Sequence, residues 1–214
     1  MSSSRLWPQP EFAEDLPLFQ SRVILTTHVL HRGFQAGSTL GLIVGAARVI
    51  PSIIRSAPAN NLTNATATAT STPTLLSRAQ SATPTIVRSI GVGAVLGLGA
   101  MSVLLPLRMA NVDPVGWQDR SWRLLGNQGQ IEVDNWSLAG MALAVVAIGA
   151  GAPVRRRMMM MEAEGKRVSR GVLVKALGLG WKAAVGGVGM GSLLGVLGYL
   201  VWRNGIRRMT VSTT

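Results

Sequence analysis

Two histidines, His28 and His31, stand three residues apart, a spacing that puts both imidazoles on one helix face within reach of one metal ion. A zinc site needs at least a third protein ligand, and none is evident nearby, so the pair reads as interfacial side chains. The chain contains no cysteine, which excludes disulfides, thiolate metal sites and cysteine nucleophiles. Gly91-x-Gly93 does not continue as a dinucleotide fingerprint. Gly178-Leu179-Gly180-Trp181-Lys182 lacks both the phosphate-loop spacing and the Ser or Thr that follows its Lys. No acid falls well inside an apolar segment, so a proton relay has no candidate. The chain therefore reads as non-catalytic, with no metal and no cofactor.

The segments that carry these residues are membrane helices. Apolar residues make up 48% of the 214 and charged residues 14%, against about 25% charged in globular proteins. The apolar residues come in blocks, four of them close to the roughly 20 residues that cross a bilayer core. The spans fall at about 33–50, 89–107, 136–154 and 183–202, giving an all-α membrane protein with four transmembrane helices. Residues 1–32 form an N-terminal segment, 33–202 the membrane domain, and 203–214 a tail. Trp136, Trp181 and Trp202 stand near span ends, where an aromatic belt places them. Residues 56–85, rich in Ala, Thr, Ser, Asn and Pro, read as a flexible insert.

Glycine carries most of the information. Gly33, Gly37, Gly41 and Gly45 make three consecutive G-x-x-x-G steps in the first span. Gly93 and Gly97 repeat the step in the second, and Gly187, Gly191 and Gly195 give two more in the fourth. Residues four apart share a face, so each row is a groove without side chains along which backbones approach closely. The third span has only Gly140, Gly149 and Gly151, which points to a peripheral position.

The formal net charge of +12 would suit nucleic acid, but the cations flank apolar blocks and form no basic domain with stacking aromatics. Nucleic acid is accordingly not an expected partner. Flanking cations set orientation and meet anionic head groups. Arg48, Arg155, Arg156, Arg157, Lys166 and Arg167 are the candidates for anionic phospholipid, cardiolipin being one such lipid. Four spans put both termini on one side, and the cluster at 155–157 favours the first and third loops facing the matrix or cytosol. Trp117 and Trp122, interleaved with charged residues, mark a short interfacial helix, a partner-docking element, or a plain connecting loop with two buried tryptophans.

Several of these features resemble the mitochondrial family of four-helix inner-membrane preprotein translocases, which also includes an accessory subunit of respiratory complex I. The resemblance is carried by the ladder from Gly33 to Gly45 ending in Ala46-Ala47-Arg48, by Val92-Gly93-Ala94-Val95-Leu96-Gly97-Leu98, and by Arg108 ahead of Asp113-Pro114. The translocase signature spaces that Arg and Asp four apart. Here they stand five apart and cysteine is absent, which brings the chain nearer to the complex I member. The resemblance implies a place in the mitochondrial inner membrane, termini in the intermembrane space, and other complex I membrane-arm subunits as partners. It implies an accessory role without catalysis, bracing the membrane arm and supporting association with other respiratory complexes. The alternatives are a component of an import translocase and a membrane scaffold that self-associates through G-x-x-x-G faces.

Overall fold

The fold is described from a computed structural model over residues 10–55, 75–163 and 180–206. A single 3-10 turn, Ala13–Asp15, precedes α1 (Leu18–Arg55), α2 (Leu75–Met109), α3 (Pro114–Gly126), α4 (Gln128–Ala163) and α5 (Trp181–Val201), which ends in a π turn, Trp202–Ile206. Four of these are long and apolar enough to cross a membrane, over Leu18–Pro51, Ala82–Met109, Gln128–Ala150 and Trp181–Gly205. The protein is an all-α, multi-pass membrane protein with four spans.

Each span runs opposite to its predecessor, and α3, between α2 and α4 in the chain, packs on α1, the 3-10 turn and α4. Backbone contacts link α1 to α2, α2 to α5 and α5 to α4, with a smaller approach of α5 to α1. Among the described residues α4 makes no close backbone approach to α1 or α2, so it is held at the edge by α5. The interior is built from small groups. Ala94, Ser38, Ser137 and Ser192 are buried together with Ile90 and Tyr199, while Leu40, Leu96, Leu143, Val146 and Leu194 point outward. That inversion suits a lipid solvent, which gives large apolar side chains no reason to hide.

Several boundaries differ from the sequence reading. The first helix begins at Leu18, so the second half of the segment 1–32 is helical and continuous with the first span. Arg32, in the middle of this helix, is paired with Asp134 on α4. At 38 residues α1 is about 57 Å long, against a hydrocarbon core of about 30 Å, so its ends extend through the head groups. Residues 75–85, assigned to the flexible insert, form the first turns of α2, with Pro84 inside the helix. The remainder of that insert, 56–74, lies outside the described residues. The helix α4 continues past the predicted end of its span to Ala163, so Arg155, Arg156 and Arg157 are helical. Gly180 precedes α5 with φ +78° and ψ −172°, a backbone region open essentially to glycine alone, and it marks the break before the last span.

Candidate functional site

The closest helix contacts are made by glycine. A methyl group added at Gly37 would strike the carbonyl of Gly93, and one at Gly93 would strike the carbonyl of Gly37 and come within 2.9 Å of Gly41 Cα. Gly97 meets Gly33 and Gly37 in the same reciprocal way, Gly41 rests on Ser89 and Ile90, and Gly45 lies 3.0 Å from Ile86 Cα by the same measure. The row in α1 thus lies directly on the row in α2, backbone against backbone.

The last span has glycines on two faces. Gly191 and Gly195 face Gly140, Trp136 and Ser137 of α4, and Gly140 in turn faces Gly191 and Gly195. Gly187, assigned to the same row, meets only the Ile148 side chain, at 3.0 Å. On the other face Gly186 interlocks with Val87 and Gly91 of α2, and Gly189 lies against Ser38 and Ile90. Gly91, Gly140, Gly186 and Gly189 therefore join the packing set that the sequence reading drew from G-x-x-x-G steps alone. A second row, offset from the first on the same helix, is invisible to a search for one spacing.

A second kind of contact joins α1 to α4, whose backbones do not meet. Asp134 lies near the start of α4, its carboxylate 2.8 Å from His28 Nδ1 and 2.9 Å from an Arg32 guanidinium nitrogen. Arg32 also donates to Gln35 Oε1 at 3.0 Å, and the Gln35 amide nitrogen donates to Ser137 Oγ at 2.7 Å while facing His31 Nε2 at 3.1 Å. Ser137 and Ser192 hydroxyls share a hydrogen bond of 2.6 Å, which carries the chain of contacts on to α5. Beside it Tyr199 donates to Glu132 at 3.0 Å and accepts from Arg203 at 3.2 Å. Ser38 Oγ, fully buried one turn deeper than Gln35, has no hydrogen-bond partner among the described residues.

The sequence reading found no acid well inside a span and no third ligand for the histidines. Asp134 stands at the start of the helix that carries the third span, against His28, so an acid does face the histidines from the span's edge. It does not complete a metal site. The same carboxylate faces the Arg32 cation, which opposes a metal ion, and no group of three His, Cys, Asp or Glu side chains able to hold one occurs among the described residues. What the cluster does is bind three helices through side chains. The signal available in sequence was the stranded charge itself, because Arg32 inside a continuous helix requires a counter-ion from another element.

Trp117 and Trp122, assigned to partner docking, bind the protein's own N-terminal segment. The Trp122 indole N–H donates to the Pro10 carbonyl at 3.0 Å, Gln118 donates to Leu16 at 2.8 Å, and Ser121 donates to the Ser21 carbonyl at 2.7 Å. The guanidinium of Arg22 lies 5.7 Å from the Trp117 ring centre, and Leu16, Ile24 and Leu125 close a small apolar core beneath. Pro114 at the first helical position starts α3, and its amphipathic pattern buries Ser121 and Leu125 against this surface. Both tryptophans remain partly exposed.

Of the expected lipid-binding cations, Arg48 is exposed on α1. Arg155, Arg156 and Arg157 are placed by their backbone alone, and Lys166 and Arg167 lie outside the described residues. Trp136 and Trp202 stack with centroids 6.1 Å apart at one end of the bundle, and Trp181 marks the other. Comparison with family models, with characterised proteins and with solved structures finds no match to this chain.

Proposed function

We propose that this chain is a non-catalytic accessory subunit of mitochondrial NADH:ubiquinone oxidoreductase, seated in the inner membrane with both termini toward the intermembrane space. The observation that carries the reading is the reciprocal glycine packing of α1 on α2, which makes a stiff bundle with many of its large apolar side chains outside. A helix pair in backbone contact has little freedom to separate, and the outward Leu, Ile and Val offer area to neighbouring membrane subunits. The clasp of α3 on the N-terminal segment adds a second rigid surface at the membrane boundary, on which the exposed faces of Trp117 and Trp122 are available to the complex. The sequence resemblance points to the complex and to its association with other respiratory complexes, and the rigid packing supports a mechanical role of bracing the membrane arm.

One specific feature favours a second reading. The polar cluster between α1 and α4 is what a protein-import component would widen into a water-lined path, because those two helices are held by side chains alone. Native electrophoresis of mildly solubilised mitochondria, with mass spectrometry of the bands holding this chain, separates the two. Co-migration with NADH dehydrogenase activity is expected. Co-migration with import components, or as a small homo-oligomer, overturns the accessory-subunit reading.

A further inference from the structure

We infer that the outer side of the α1–α2 seam is a binding site for one anionic phospholipid, with its acyl chain along the glycine rows and its phosphate held by Arg48, Arg88 and Lys182. A groove of about 790 Å³ runs there. Its floor is the backbone at Gly33, Gly37, Gly41, Gly93 and Gly97, and its walls are Leu40, Val44, Val92 and Leu96. These wall side chains are exposed, so the groove opens to the surrounding membrane.

Two independent features specify the occupant. The first is length: from Gly33 to Arg48 the groove follows 15 residues of α1, about 22 Å, enough for one leaflet's share (about 15 Å) of the hydrocarbon core. The second is charge, which is confined to one end. Arg48 and Arg88 line that end from α1 and α2, and Lys182 lines it from the first turn of α5, whose backbone touches Gly91. All three are exposed, and none has an acidic partner among the described residues. The described acids gather at the opposite end of the bundle, except Glu162 on α4, a helix without close backbone approach to α1 or α2. An apolar trough ending in three uncompensated cations is complementary to an amphiphile with an anionic head. A partner helix would fit the trough but would leave the cations to an acid it had to supply at that height. The lipid site stands whichever complex holds the chain.

Photo-crosslinking tests it. The full chain is reconstituted in phosphatidylcholine vesicles carrying a small fraction of either phosphatidylglycerol or phosphatidylcholine with a diazirine on the acyl chain, and adducts are mapped by mass spectrometry. Phosphatidylglycerol adducts are expected on Leu40, Val44 and Leu96, at several times the phosphatidylcholine yield. Neutralising all three cations with R48Q, R88Q and K182Q should abolish that preference, while R108Q at the far end of α2 leaves it intact. The A36W variant fills the groove without changing charge, and it should lower labelling by both lipids. Helicity measured by circular dichroism shows that each variant has folded, and A36W decides the matter if the triple variant has not. Equal labelling by the two lipids, adducts spread over the other helices, or an indifferent A36W overturns the site. So does competition by soluble glycerol phosphate, which would mark a free-phosphate site, or a dimer whose groove takes no label, which would give the groove to a second copy.

Discussion

The first helix meets α2 and α4 in opposite ways. Against α2 it presents Gly33, Gly37, Gly41 and Gly45, and the two backbones touch with nothing between them. Toward α4 it presents His28, Arg32 and Gln35, and the helices stay apart while Asp134 and Ser137 reach across. The first contact is apolar, continuous and intolerant of a single carbon. The second is polar and local, and it tolerates changes in shape but not in charge. In lipid both are ways to gain contact without a hydrophobic driving force, one by dispersion between close backbones and one by hydrogen bonding.

Substitutions can break this contrast or sharpen it. The largest effect is expected at the seam. Gly37→Val or Gly93→Val places branched carbons where a carbonyl already lies, and should destabilise the bundle by about 3 kcal/mol or more. Unfolding of the full chain in mixed micelles reads that loss, and a near-neutral result would show that the seam is looser than described. Next comes Asp134→Ala, which strands Arg32 and His28 beside an emptied site. Because Arg32 is about a third exposed, the expected cost is about 1–2 kcal/mol. A double-mutant cycle with Arg32→Gln should recover part of it, and strict additivity would deny the pair any role.

Smaller effects refine the polar side of the comparison. Ser137→Ala removes the bridge from Gln35 to Ser192 and should cost about 0.6–1 kcal/mol, the usual worth of an interhelical hydrogen bond in a membrane protein. Trp122→Phe keeps the ring but loses the bond to Pro10, at about 1 kcal/mol. Its readout is faster proteolysis of the N-terminal segment with the membrane helices left whole. Gly99→Ala is the smallest expected change, close to zero, because a methyl group there meets nothing within 4 Å. If Gly99→Ala were as damaging as Gly37→Ala, glycine would matter here for backbone flexibility and not for approach.

The degree to which the sequence could be read follows the same division. The ladder in α1 was legible because four glycines at one spacing declare a face without reference to any other helix. Gly186 and Gly189 were not, since their importance depends on α5 lying between two partners at once. Trp117 and Trp122 were recognised as special, but their contacts to Pro10 and Arg22 were not legible, because those partners lie 95 or more positions away along the chain. The helical extension of the first span back to Leu18 was not legible, since Arg32 and the two histidines give that stretch no apolar block of its own.

The sequence by itself determined the number of spans, their approximate places, and the faces on which backbones can approach, because length, hydropathy and a four-residue period are local properties of a helix in lipid. Only the tertiary structure decided that Asp134 lies beside His28 and Arg32, 102 or more positions away along the chain, and that Arg48, Arg88 and Lys182 share one groove. Charge pairing depends on distance in space, and residues on different helices acquire that distance only when the helices pack.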